Sequence, residues 1–147
     1  MSAPDENKRI ALQFIEEVFV RAQSAAVDGL VTPDFVSHGL PGSGPAVMKA
    51  AIGRVAPALS DVKMTIHDVV AEGDRVAVRL TSRATQTGTF MGMPPSGKTY
   101  EIEEIHLFRI AGGKVAEHWH QIDGLGMMRQ LGALPEQSKQ PGQPKPD

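Results

Sequence analysis

The stretch "TYEIEEIHLFRI", Thr99–Ile110, decides how this chain is read. Tyr100, Ile102, Glu104, His106, Phe108 and Ile110 occupy one side of a two-residue alternation; Glu101, Glu103, Ile105, Leu107 and Arg109 occupy the other. Period two means a strand with two unlike faces. The first face is apolar except for Glu104 and His106. A buried carboxylate or imidazole is costly unless it is hydrogen-bonded or lines a wet pocket. That face is therefore read as a pocket wall, against the alternative of a half-exposed face with the core behind it.

Working outward, "AGGK" turns the chain into a further strand, Val115 to about Ile122. Here alternation groups Val115, Glu117, Trp119, Gln121 and Asp123 against Ala116, His118, His120 and Ile122. Neither set is cleanly apolar, so periodicity leaves the inward face open. A short helix, Leu125–Leu131, should follow. Asp123 stands just before it and could either cap that helix or do chemistry. Upstream, Asp61 onward alternates again through Val62, Met64 and Ile66. "EGD" (Glu72–Asp74) turns it into a strand over Arg75–Gln86. "GTFMGMPPSGK", Gly88–Lys98, is expected to be a loop.

The N-terminal part has helical periodicity instead. Ile10, Ala11, Phe14, Ile15, Val18, Phe19 and Ala22 form a wide apolar stripe, predicting a helix over Asp5–Ala26 with Asp5 as its cap. "TPDFVSHGLPGSGP", Thr32–Pro45, reads as turns and loop. A second helix, about Ala46–Ala58, should end near Pro57. Residues 135–147, "PEQSKQPGQPKPD", contain no apolar side chain and are expected to form a disordered tail after one domain over 1–134.

Helices followed by hairpin-linked strands argue an α+β fold: a curved antiparallel sheet wrapped around the N-terminal helices, open at one end over a small-molecule site. The totals fit a soluble globular protein, with 147 residues, 41% hydrophobic and 22% charged. A net charge of −2 gives no basic field for nucleic acid or an anionic membrane. The absence of cysteine excludes thiolate chemistry and disulfides. "MSAPDENKRI" lacks the order of a signal peptide, and no run of apolar residues is long enough to span a membrane. A cytoplasmic protein is expected. His118 and His120 share strand parity, as metal ligands can, but two His without a second ligand cluster lead to no metal assignment.

The segments "AEGDRVAVR" (Ala71–Arg79), "TGTFMGMPPSGK" (Thr87–Lys98), "HLFRIAGGKVAEHW" (His106–Trp119) and "D…LG…RQLG" (Asp123–Gly132) together resemble the SnoaL-like polyketide cyclase, or ester cyclase, family. The likeness runs from about Ile10 to Leu134. It implies the nuclear-transport-factor-2-like (cystatin-like) fold, a cone-shaped half-barrel with a deep apolar pocket, assembled as a homodimer through the sheet. It also implies an intramolecular aldol condensation closing the last ring of a polyketide ester, with no metal and no organic cofactor. An aspartate moves the protons in that chemistry, helped by a histidine on the neighbouring strand. Carried onto this chain, the catalytic set is Asp123, His106 and His120. His120 falls where some members have an acid directly after the Trp. The expected substrate-binding set is His38, at the pocket mouth, with Glu104, Phe108, Trp119, Phe90 and Phe14.

The substrate is therefore expected to be a hydrophobic carbonyl compound, undergoing cyclisation or isomerisation. A non-catalytic binding module would use the same pocket. An epoxide hydrolase would need Asp123, Glu104 and Arg79 gathered around one water.

Overall fold

The computed structural model describes residues 2–134; the tail expected over 135–147 lies outside the described residues. Helix α1 covers Ala3–Phe14 and runs on without a break as a π-helical turn, Ile15–Val20. A single 3₁₀ turn, Ser24–Ala26, leads to the short α2, Val27–Leu30. Then come β1 (Val31–Ser37), α3 (Pro45–Val55), β2 (Leu59–Glu72), β3 (Arg75–Gln86), β4 (Thr99–Ala111), β5 (Lys114–Ile122) and α4 (Gly124–Gln130).

The strands form one sheet in the order β1-β5-β4-β3-β2, not closed into a barrel. Three hairpin-type pairings are antiparallel; β1 joins the edge parallel to β5. The sheet is thus mixed, and the loop expected over Thr32–Pro45 holds a strand. The turn-forming residues there are real but local. Pro33 and Asp34 lie in an irregularity between the Val31↔Val115 and Val36↔Glu117 pairings. An edge strand tolerates proline because one row of its backbone groups needs no partner.

The first helix also departs from expectation. Ser2, not Asp5, is its cap: the Ser2 hydroxyl accepts from the Asp5 N–H at 3.3 Å. The helical stretch ends at Val20, six residues short of Ala26, with Ala22 at φ +52°. The π turn has a packing consequence. Residues i and i+5 diverge around an α-helix, yet here Phe14 and Phe19 meet edge to face at 5.3 Å. Both rings face the sheet.

Side chains divide by face as β4 suggested. Tyr100, Ile102, Glu104, His106, Phe108 and Ile110 are all buried. The principal core sits between this concave face and the helices, with Phe14, Phe35, Phe108, Leu80, Val76 and Val78 fully covered. A second apolar cluster lies at the far end of the sheet. It joins Ala84, Tyr100 and Ile102 to Met127 and Leu131, with Phe90 and Met93 packed against it.

Gln86 holds the Gly88–Lys98 loop over that second cluster. Its buried amide donates toward the carbonyls of Gly88 (3.2 Å), Met93 (3.1 Å) and Pro94 (3.1 Å), and the Ser96 hydroxyl donates to its Oε1 at 2.7 Å. Gln86→Leu keeps the volume but strands those carbonyls. It should destabilise the protein by about 2–4 kcal/mol in urea unfolding and expose the loop to limited proteolysis. An unchanged unfolding midpoint would refute this role.

Candidate functional site

The site is built where β4 and β5 cross the middle of the concave face. Their register pairs Glu104 with Ile122, His106 with His120 and Phe108 with His118. Directly opposed residues share a face, so His118, His120 and Ile122 look inward. A bulge explains why alternation could not decide this. Ile110 pairs with Val115 but Arg109 pairs with Glu117, leaving Ala116 as an extra residue that shifts the phase. Val115 and Ala116 are both buried as a result.

Four buried polar side chains form one hydrogen-bonded line. Ser37 Oγ lies 3.1 Å from His118 Nδ1, His118 Nε2 lies 2.9 Å from His106 Nδ1, and His106 Nε2 lies 2.8 Å from Glu104 Oε2. All four residues are at most 7% exposed. The two imidazole planes differ by 19°, which keeps the N–H···N link close to both ring planes. His120 stacks beside both rings at 5.5 and 5.1 Å, with its own side open to solvent. Phe19 covers His106 and His118 at 5.3 and 5.5 Å, and Phe14 meets Phe108 and His118. The π turn thus places two aromatic rings over the imidazole cluster.

Electrostatics follow from this enclosure. Burial, reinforced by the neighbouring His106, holds the His118 imidazole well below its ordinary value of 6.5. Burial and then His106 also lower His120, with Glu104 opposing them. Both rings are accordingly neutral donors near neutral pH. Among the described residues, no group of three or more His, Asp or Glu is arranged to hold a metal ion.

The expected residues do not all meet here. Glu104, His106, His120, Phe108 and Phe14 are brought together. Phe90 packs half-buried with the second apolar cluster. Trp119 faces the other way: it opposes Leu107 across the strands, stacks on His38 at 4.6 Å and lies under the Arg75 guanidinium. His38 is on that outer face too, 2.8 Å from Glu117, which also accepts from Arg109. His38 first and Arg109 second keep the Glu117 carboxyl below the usual range. Neither Trp119 nor His38 is pocket wall, because their strand parity turns them outward.

Asp123 is exposed and caps α4, its Oδ1 accepting from the Gly126 N–H at 2.9 Å. A Cβ at Gly126 would collide with that carboxylate, so "DGLG" serves the cap. Arg79 lies outside, ion-paired to Asp68 and Glu103. The Asp123–Glu104–Arg79 trio required for epoxide hydrolysis is therefore not assembled. Ser37, His118 and Phe19 complete this buried cluster and were not among the site residues expected from the sequence. Parity with His120 was the one available signal for His118; Ser37 had none, since its strand was not recognised.

The pattern of the family described as SnoaL-like polyketide cyclase matches residues 9–131. The chain belongs to that family. It is 31% identical over 113 residues to the nogalonic acid methyl ester cyclase of Streptomyces nogalater, covering 72% of this chain and 83% of that one. It is 32% identical over 104 residues to the aklanonic acid methyl ester cyclase DnrD of Streptomyces peucetius, covering 69% and 71%. Among solved structures, TsrD from Streptomyces laurentii superposes with a TM-score of 0.81 at 30% identity, covering 91% of this chain and all of that one. Among the described residues no helix is long and apolar enough to cross a membrane.

The depressed His118 value makes stability pH-dependent. Above the ordinary imidazole value of 6.5 the ring is neutral folded or unfolded, and it contributes no slope. Below it the unfolded chain takes up a proton that the folded chain does not, so stability falls with pH through that window. His120 adds in the same direction. Denaturation midpoints measured from about pH 8 to 5 should decline in the wild type and decline less steeply in His118→Gln. Parallel profiles would show that His118 is not the ring held neutral.

Proposed function

We propose that this chain is a cyclase-type enzyme. It closes a ring in a hydrophobic, polyketide-like carbonyl compound by aldol chemistry, using acid/base groups of its own and no cofactor. The observation that carries this reading is the buried Glu104 carboxylate on the concave face, hydrogen-bonded to His106 and edged by His120. The family membership and the ester cyclases among its relatives support the substrate class.

Glu104 Oε2 is occupied by His106, which leaves Oε1 for the substrate. That oxygen removes a proton from a carbon flanked by carbonyls, and the C–H electron pair moves into the enolate. A neutral His120 N–H donates to the enolate oxygen, stabilising charge as it develops. The enolate carbon then attacks the second carbonyl, forming the C–C bond and leaving an alkoxide. Glu104 returns its proton to that alkoxide, so no proton is gained or lost overall. Apolar neighbours across the sheet, Leu80 and Ile66 on one side of Glu104 and Ile122 on the other, orient the flat rings. Holding both carbonyls in reactive proximity contributes much of the acceleration.

This reading moves the acid/base role from Asp123, which serves the helix cap, to Glu104. The outer face, with Ile105 and Val70 more than half exposed, suits the homodimer expected through the sheet.

Aklanonic acid methyl ester and nogalonic acid methyl ester are the compounds to test first. Glu104→Gln should lower kcat by about 10²–10⁴-fold with the fold intact, as expected for loss of a positioned base. Asp123→Asn, which keeps a capping acceptor, should turn over at close to the wild-type rate. The opposite pattern would return the role to Asp123. Ligand binding without turnover in the wild type would favour a binding module.

A further inference from the structure

We infer that Tyr100 is a second catalytic residue of the proposed ring closure: its phenol donates to the carbonyl that the enolate attacks, and Ser82 is the positioning residue that aims it. This rests on the aldol reading of the Glu104 site and adds a donor for the second carbonyl.

Among the described residues, six polar or charged residues are buried. Ser37, His118, His106 and Glu104 form the polar line, and Gln86 anchors the loop. Ser82, 1% exposed on β3, is left without a task. Beside it is Tyr100, 3% exposed and the one tyrosine of the chain. The side chains packed around Tyr100 are apolar, Ala84, Ile102, Met127 and Leu131 among them. Phenylalanine would fill that space with no hydroxyl to satisfy, and burying a hydroxyl is costly. Packing alone therefore gives no reason for a pair of hydroxyls on the concave face.

The register of the sheet fixes where the pair stands. β3 and β4 place Ala84 opposite Tyr100, Ser82 opposite Ile102 and Leu80 opposite Glu104. Ser82 is thus a diagonal neighbour of Tyr100 on one side and of Glu104 on the other. Diagonal neighbours stand about 7–8 Å apart. The small Ala84 leaves the Tyr100 ring room to lean toward Ser82, with which the phenol hydrogen-bonds. Burial pushes the phenol above its ordinary value of 10.0, the Ser82 hydrogen bond draws it back, and the Glu104 charge pushes it up again. The hydroxyl lies within the field of the carboxylate and keeps its proton at neutral pH.

Ring closure uses a donor in that place. Three contacts of roughly 3 Å each run from the base oxygen to the acidic carbon, from that carbon to the second carbonyl carbon, and from the carbonyl oxygen to a hydrogen-bond donor. Bent at the reacting carbons, they span the gap between Glu104 and the Ser82–Tyr100 pair. His120 serves the enolate oxygen from the β5 side of Glu104. On the β3 side, the Ser82 O–H donates to the phenol oxygen and the phenol O–H donates to the second carbonyl. That bond polarises the carbonyl and strengthens as negative charge gathers on the alkoxide. Tyr100 gives up no proton in the cycle, since the proton taken by Glu104 is the one returned to the alkoxide.

Tyr100→Phe keeps the ring and removes the hydroxyl. With aklanonic acid methyl ester its kcat should fall about 10²-fold while KM stays within about twofold. Exchange of the acidic C–H of the ester in deuterium oxide, followed by ¹H NMR above the buffer rate, should persist in Tyr100→Phe and be lost in Glu104→Gln. Ser82→Ala should lower kcat by a smaller factor and Ser82→Thr should restore it. Added to Tyr100→Phe, Ser82→Ala should cost no further turnover, a dependence that a packing role would not produce. Because the chain has one tyrosine, 3-fluorotyrosine labels this ring alone. Its ¹⁹F resonance in Glu104→Gln should shift when the ester binds. A wild-type kcat in Tyr100→Phe overturns the inference, as does exchange that falls in step with ring closure. So does a ¹⁹F resonance unmoved at saturating ester, a reading that needs no Tyr100 variant to fold. Full turnover by Glu104→Gln would instead overturn the assignment of the base, with the part played by Tyr100 still legible in its own kcat.

Discussion

The carboxylate of Glu104, 7% exposed on a face otherwise built for apolar packing, is the constraint the middle of the molecule answers to. A charge there is tolerated only if donors reach it. Backbone groups of the sheet are used up in the ladder, so the donors must be side chains on the same face. The neighbours along that face are His106 on β4 and, through it, His118 on β5 and Ser37 on β1. One strand after another is recruited to satisfy one side chain. The parallel addition of β1 has its reason here: Ser37 pairs directly with His118, and the His38 N–H donates to the His118 carbonyl at 2.8 Å.

Two further irregularities serve the same end. The Ala116 bulge turns His118 and His120 inward while Val115 stays buried. Without the extra residue, the strand could not bury Val115 and His118 together, because a one-residue slip exchanges the faces. The π turn after Phe14 lets Phe19 close over the imidazoles while Phe14 remains in the core. Both irregularities sit beside the polar line, whereas β4, which carries Glu104 and His106, pairs with β3 without a break. Elsewhere the packing is ordinary, an aliphatic and aromatic core under one helix and a smaller cluster sealed by the Gln86-anchored loop.

This distribution explains what the sequence could and could not disclose. β3 and β4 alternate without interruption, so their inward faces, and the anomaly of Glu104 and His106, were legible residue by residue. The periodicity of β5 was scrambled by one inserted residue, and its inward face became readable only from the register with β4. β1 was hidden because Pro33 and Asp34 carry turn chemistry inside a strand. Trp119 illustrates a different limit. Its size and rarity suggested a pocket wall, but strand parity depends on the bulge and sends it to the outer face against His38 and Arg75. Resemblance identified the family where periodicity could not, yet it could not say whether Asp123 was free for chemistry, since a carboxylate at a strand end caps a helix equally well.

The proposed exchange of roles between positions 104, 120 and 123 has a geometric logic. An acid directly after the Trp, as the resemblance expects in some members, would stand opposite His106 across the strands, at the place His120 occupies. Glu104 reaches the same imidazole from along β4, at 2.8 Å from Nε2. Both arrangements meet one requirement, a carboxylate in hydrogen-bond reach of the same histidine on the concave face. Moving the acid from the β5 position to β4 buries it one step deeper in the sheet. The position it leaves free can then hold a neutral imidazole, a hydrogen-bond donor rather than a second charge. Two carboxylates so close would oppose each other's ionisation. A carboxylate beside a neutral imidazole divides base and donor between separate groups, which a reaction that removes a proton and shelters an enolate requires at the same moment.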